Sequence, residues 1–476
     1  MDLYRAFKSG DLKEIQQLHA HGLDVTRSNS KGSTPMLLAC FYGHFKIVQW
    51  LHAHGAAMDV TRPNNNGETP MWWACHRNHF EIVQWLHTHG AATDVTRPEN
   101  GGWTPMYIAC GNGRLKIAQW LHTHGAAMDV TRSLNNGATP MLFACQNGQL
   151  EIVQWLHTHG AATDVTRPRN DGTTPMWLAC FEGHLEIAQW LHAHGAAMDV
   201  TRSFNDGATP MLYACKNGHL KIVRWLHAHG AAKDVTRPNN KGSTPMSYAC
   251  GNGRLEIAQW LHTHGAAMDV TRPVNKGATP MYIACEKGHL EIVRWLHTHG
   301  AVMDITRPRN GGATPMFIAC QQGHLEIVQW LHAHGADTDV TRPSFQGKRS
   351  MDIACKKGHL NIVKHLIHHH KMSPDTLAQW HPRLSTSNKH QLCQAARENI
   401  FHCQSFFTLA LIVCRVDIEP YKVMNEETGC LVVPRSSILR FRNIDNHVLL
   451  DRIAHYICGG KDTRQMWFMI RNLRRR

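Results

Sequence analysis

The tripeptide Thr-Pro-Met returns every 35 residues, nine times, from Thr34 to Thr314. A fixed period of this size means one supersecondary unit stacked many times, each unit burying its apolar face against its neighbours. A chain of 476 residues would otherwise suggest about three globular domains. The repeat predicts an elongated solenoid instead. Such a framework presents a long surface, and that surface ordinarily binds something.

One copy, residues 64–97, shows how the unit is built. Asn64-Asn65-Asn66-Gly67 is turn chemistry, because Asn and Gly accept positive φ. Thr69-Pro70 opens a short helix, with Thr as N-cap and Pro at the first helical position. A second helix begins near Phe80, carries Phe80, Val83 and Leu86 at helical spacing, and ends at Gly90. An arm, Ala91 to Arg97, leads to the next turn.

These motifs, TPMxxAC, GHLEIVQWLHxHGA and the NxGxTP turn, resemble the ankyrin repeat. The resemblance covers residues 1 to about 370 and implies an all-α fold: helix-turn-helix units with extended arms and β-turn tips. Residues 1–33 resemble an N-terminal capping unit, 34–348 hold nine repeats, and 349–371 are a degenerate last unit, about eleven in all. At about 10 Å per packed layer the stack would be on the order of 100 Å long. Residues 372–476 form a basic, mostly helical tail. Two departures from the family stand out. The period is 35 residues, the extra pair lying in the arm, and the family's histidine in the first helix is missing. Its place is taken by Leu37, Trp72, Tyr107, Leu142, Trp177, Leu212, Ser247, Tyr282, Phe317 and Asp352.

The copies are close to identical. Residues 111–133 and 251–273 differ at two of 23 positions. Against that uniformity four positions per repeat vary: the residue before Thr-Pro-Met, the lost-histidine position, and the last two residues of the first helix. The resemblance implies that these line a concave face beside the turn tips, where family members usually hold partners. Glu68, Trp72, His76, Arg77, Trp103, Tyr107, Trp177, Phe181, Glu182 and Tyr282 are therefore the candidate partner-binding residues. Aromatic and arginine residues are the expected anchors of a protein interface. Drift of exposed positions after duplication is the competing account, and some rings could instead fill space between neighbouring helices.

Other residue classes read as framework. Ten of the fifteen cysteines recur at one repeat position, from Cys40 to Cys355. Packed helices lie about 8–10 Å apart, too far for disulfides along the stack, so buried reduced thiols are expected, in the cytoplasm or nucleus. Twenty of 37 histidines form HxH pairs, from His19/His21 to His332/His334. Residues i and i+2 of a helix point apart, which favours capping of helix ends over a metal ladder. The Trp50-to-Trp330 series reads as packing between second helices, and the Asp59/Arg62-type arms as rows of weak ion pairs. No Gly-rich phosphate loop ending in GK[ST], GxSxG, HExxH or CxxC motif occurs, so no enzyme, metal or cofactor is expected.

The formal charge is +14, of which +7 falls in the last 106 residues, ending in Arg474-Arg475-Arg476. No apolar leader opens the chain, and the longest apolar run, residues 406–414, is far below the roughly 20 needed to cross a bilayer. In the tail, helices are expected from Ser373, over 389–416, 447–458 and 462–473, with a hairpin over 421–433. Residues 444–453 are similar to an F-box-like helix, although the leading Leu-Pro is absent. The expectation is a monomeric, non-enzymatic scaffold for a protein partner. The alternative is a ubiquitin-ligase adaptor that docks through the tail, and nucleic-acid binding rests on charge alone.

Overall fold

The computed structural model describes residues 3–370, apart from Leu23, Phe345 and Gln346. The expected tail elements and the F-box-like segment lie outside the described residues. Two compact units are distinguished, residues 1–275 and 276–476. The first contains antiparallel helix pairs from Leu3–Ser9 and Leu12–Ala20 through Pro245–Gly251 and Leu255–Leu261. In the second, the described pairs are Pro280–Lys287 with Leu290–Thr298, Pro315–Gln322 with Leu325–Ala333, and Ser350–Lys357 with Leu360–His370. The described residues contain no strand.

Local chemistry sets each helix boundary. Thr69 is extended (φ −91°, ψ 163°), and its Oγ1 accepts the Trp72 N–H at 3.1 Å, while Pro70 needs no partner at the first position. The helix Pro70–Arg77 ends at Asn78, left-handed at φ 67° where most copies have glycine. The second helix, Phe80–Leu86, runs into a wide turn closed by Gly90 at φ 106°. The arm then coils into a 3₁₀ turn, Ala92–Val95, which buries the Asp94 carboxylate.

Packing between copies follows from the same residues. Met71, Ala74, Cys75, Val83 and Leu86 are fully buried, and their counterparts in the other copies repeat the pattern. Burying a side chain of this size stabilises by roughly 1.5–3 kcal/mol. The turn tips also interlock. The Asn100 N–H donates to the Asn66 carbonyl at 2.9 Å, and its side chain sits against Gly67. A Cβ on Gly67 would lie 2.5 Å from Asn100 Oδ1, so that glycine serves both its positive φ and the close approach. The His79 imidazole reaches back to the Phe41 carbonyl at 3.3 Å, and His219 does the same to Phe181 at 3.0 Å. Where a histidine precedes the second helix, as in these copies, it thus closes the first helix of the preceding copy.

The cysteine series, Cys40 to Cys355, is buried with free thiols, and burial pushes these thiols up in pKa. In the HxH pairs the second histidine caps its own helix. The His89 Nδ1–H donates to the Trp85 carbonyl at 2.8 Å, and its ring stacks on that indole at 4.0 Å. The first histidine faces the next copy: His87 meets Trp120 edge-on at 5.1 Å. The arm pairs also form, as in Arg97–Asp94 at 3.5 Å, with the aspartate buried and the arginine half-exposed.

Candidate partner-binding pocket

The residue that replaces the family histidine lies one turn inside the first helix, where its N–H is held by the Thr cap. From there its side chain is directed between first helices. Trp72, Tyr107 and Tyr282, expected at the surface, are therefore buried, at 7%, 4% and 1% exposure. Their rings fill the space between neighbouring helices. The Trp72 indole N–H donates to the Trp103 carbonyl of the next turn tip at 2.9 Å. Tyr107 stacks on Phe143 at 5.2 Å, and burial raises its hydroxyl pKa. Tyr282 is pushed up to about 12 for the same reason.

Around Trp72 these contacts leave a cavity of about 360 Å³. Its aromatic walls are Trp72, Trp103 and Phe143, with Trp103 edge-on to Phe143 at 5.1 Å. Glu68 and Glu99 supply the acidic wall, and His76, Asn112, Ile108 and Gly101 complete the lining. Both carboxylates are pinned at one oxygen. Glu68 Oε2 accepts from Asn64 Nδ2 at 2.6 Å and from the Trp73 indole at 3.1 Å. Glu99 Oε1 accepts the Trp103 N–H at 3.1 Å. His76 is held below its usual pKa by burial and by the charges of Arg77 and Arg114, and its buried Nδ1 has no hydrogen-bond partner.

Helix pairs at a constant period, a Thr-Pro start, interlocked tips and a buried Met/Ala/Cys seam are now all in place. The family model for ankyrin repeats, described as three copies, matches in overlapping windows from residues 3–97 to 303–378. The chain is an ankyrin-repeat protein. No curated protein matches it. Ankyrin repeats are generally protein–protein interaction modules. Among the described residues of this ankyrin-repeat protein, no helix is long and apolar enough to cross a membrane.

The pocket thus gathers four of the candidate residues, Glu68, Trp72, His76 and Trp103. Tyr107 backs it from behind Phe143. The other candidates lie elsewhere in the ankyrin-repeat protein. Arg77 is exposed, with its guanidinium 4.2 Å from the Phe41 ring centre. Trp177 and Phe181 stack at 4.9 Å and join Phe204 and Tyr213 in a second ring cluster, beside the exposed Glu182. Tyr282 belongs to the second unit, where Arg309 stands 5.4 Å from its ring.

Sequence reasoning missed Glu99, Gly101, Ile108, Asn112 and Phe143 as members of one site with Glu68. A signal existed for two of them. The tip Asn100-Gly101-Gly102 shares its double glycine with one other copy, Asn310-Gly311-Gly312, and Phe143 occupies a fifth variable position, held elsewhere by Trp73, Leu178 and Tyr213.

Proposed function

We propose that the chain is a non-enzymatic interaction scaffold, in the cytoplasm or nucleus, which holds a protein partner on the face built from the first helices and turn tips. One observation carries this reading. The positions that differ between near-identical copies gather on that face, and four of the candidate residues converge on a single pocket. Drift on a wet surface would favour polar residues, yet this face has acquired tryptophan, tyrosine and phenylalanine. Interface energy concentrates in a few aromatic and arginine anchors set in partly desolvated surroundings. Trp103, Arg77 and Phe181 have that character and retain accessible surface. The buried rings of Trp72, Tyr107 and Tyr282 shape the surface from beneath.

The test compares two faces. One variant replaces Arg77, Trp103, Phe181 and Glu182 with alanine. The control replaces Gln84, Gln119, Gln154 and Gln189, exposed on second helices. Both are checked for helix content and then used for affinity capture with quantitative mass spectrometry. The scaffold reading requires that the first variant lose partners the control retains. Equal capture by both sinks it.

A further inference from the structure

We propose that the pocket formed by Glu68, Trp72, Glu99, Trp103 and Phe143 receives one arginine side chain from a basic segment of the partner protein. This deepens the reading of the turn-tip face as the partner-binding face and rests on it.

Charge is the first argument. In a chain of formal charge +14, this cavity is lined by two glutamates and by no lysine or arginine. His76 adds no positive charge, since its burial and its arginine neighbours keep it neutral. Each glutamate has one oxygen fixed by the hydrogen bonds above. Oε1 of Glu68 and Oε2 of Glu99 carry no hydrogen bond among the described residues. Two oriented carboxylates with spare lone pairs suit a donor with several N–H groups.

The rest of the same surface offers a contrast. Several ring faces there are already covered by the protein's own cations. Arg77 stands 4.2 Å from Phe41, and Lys216 stands 5.3 Å from Tyr213 and 5.6 Å from Tyr248. Cations within about 6 Å of a ring centre are attracted by its quadrupole. No such cation stands over Trp72, Trp103 or Phe143 among the described residues. Arg169, which approaches Tyr107 behind the pocket, is engaged by Asp171. This pocket has the walls of a cation site with no cation over its rings, while Arg77 and Arg114 act on His76 at its edge.

Space is the third argument. A Cβ on Gly101 would lie 2.6 Å from Glu99 Oε1, and a Cβ on Gly111 would lie 1.8 Å from the Phe143 ring. Most other copies carry a side chain at the Gly101 position, Lys31, Asn66, Asn136, Asp171, Asp206, Lys241 or Lys276, and one carries Gly311. The two glycines thus leave room for the carboxylate and for the third ring. Arginine fits better than lysine because its planar guanidinium can lie against a ring while its edge meets carboxylates.

The probe is a fluorescein-labelled seven-residue Gly/Ser peptide with one central arginine, titrated into the full chain by fluorescence polarisation. Matched peptides carry lysine, citrulline or glutamate at the centre. The arginine peptide should bind, and citrulline, which keeps the shape without the charge, should weaken binding about tenfold or more. Glu68→Gln with Glu99→Gln should weaken the arginine peptide similarly and leave helix content unchanged. Gly101→Lys, which introduces at this tip the residue that Lys241 is at the equivalent position, should block the pocket. Equal binding of arginine and citrulline peptides, no arginine binding, or indifference to the Glu68/Glu99 pair overturns the proposal. If the arginine site fails while the four-residue face variant still loses its partners, the scaffold reading stands without it. If both fail, the face itself is wrong.

Discussion

The stretch 68–112 and the stretch 208–252 are separated by four whole repeats and share one framework. Both open with Thr-Pro-Met, bury Met, Ala and Cys at the same places, and place the same second-helix residues against their neighbours. Yet Glu68 becomes Ala208, His76 becomes Lys216, Glu99 becomes Asn239, Gly101 becomes Lys241 and Trp103 becomes Ser243. Two carboxylates and an indole are exchanged for two ammonium groups and small side chains. Lys216 lies over Tyr213 and Tyr248, within the range where a cation is attracted to a ring. The framework therefore tolerates opposite surface chemistry at these positions.

The largest difference between the regions should appear at the buried lost-histidine position. Trp72→Ala is expected to cost about 3–5 kcal/mol and Leu212→Ala about 2–5 kcal/mol. Trp72 removes the larger volume and also strips the Trp103 carbonyl of its indole donor. In a stack of nearest-neighbour units, unfolding need not be two-state, so hydrogen exchange resolved by repeat is the measurement. Loss of protection should centre on residues 69–110 for Trp72→Ala. No local loss would show that the ring is not packed as described.

A smaller effect, shared by the same two regions, is expected from pH. Asp94 and its counterpart Asp234 are both buried beneath a half-exposed arginine, and burial raises both carboxyls, Asp94 to about 6. The Asp94 Oδ2 has no hydrogen-bond partner. The sign follows from proton binding. Between the unfolded value of 3.8 and the folded value of about 6, the native state holds the proton and the unfolded chain does not. Stability from this group is therefore greatest below about pH 4, falls as pH rises to about 6, and is level above. A shift of this size corresponds to about 3 kcal/mol at most. His76 and His79, both held below their usual pKa, act in the opposite direction as pH falls. Comparison with Asp94→Asn isolates the carboxyl. The wild-type chain should lose stability relative to this variant between pH 4 and pH 7. A constant difference across that range would place the carboxyl in contact with water.

The legibility of the chain divides along the same line. The framework could be read in sequence because each boundary has its own local device: Thr69 with Pro70, Gly90, and the Asn-rich tip. The buried cysteines and the capping role of His89 followed from spacing alone. The pocket could not be read in full, because its walls come from three successive copies, and sequence order keeps Glu68, Glu99 and Phe143 apart. Exposure was also misjudged. Trp72, Tyr107 and Tyr282 vary as surface residues do, but the helix directs them inward. Variation reports which positions the fold leaves unconstrained in identity, and a gap between neighbouring helices can be filled by several different rings.

The smallest effect is the most discriminating. Lys216→Met removes the ammonium above Tyr213 and Tyr248 and keeps most of the stem. At a partly exposed site a cation–π contact contributes about 0.5–1 kcal/mol, so stability should fall by no more than that. The consequence for binding separates two accounts of the pocket. Lys216→Met uncovers two ring faces in a region with Asn239 and Lys241 where the pocket has Glu99 and Gly101. If ring faces alone attract the arginine peptide, this variant should gain a second site for it. If the oriented carboxylates are required, it should not. Titration of Lys216→Met in a Glu68→Gln, Glu99→Gln background, where the pocket itself is silent, reads that second site directly. The expected result is no binding, because the carboxylate beside these rings, Asp206, already accepts at both oxygens, from the Ala208 N–H and the Tyr213 hydroxyl, and ring faces alone offer an arginine too little to offset its loss of hydration.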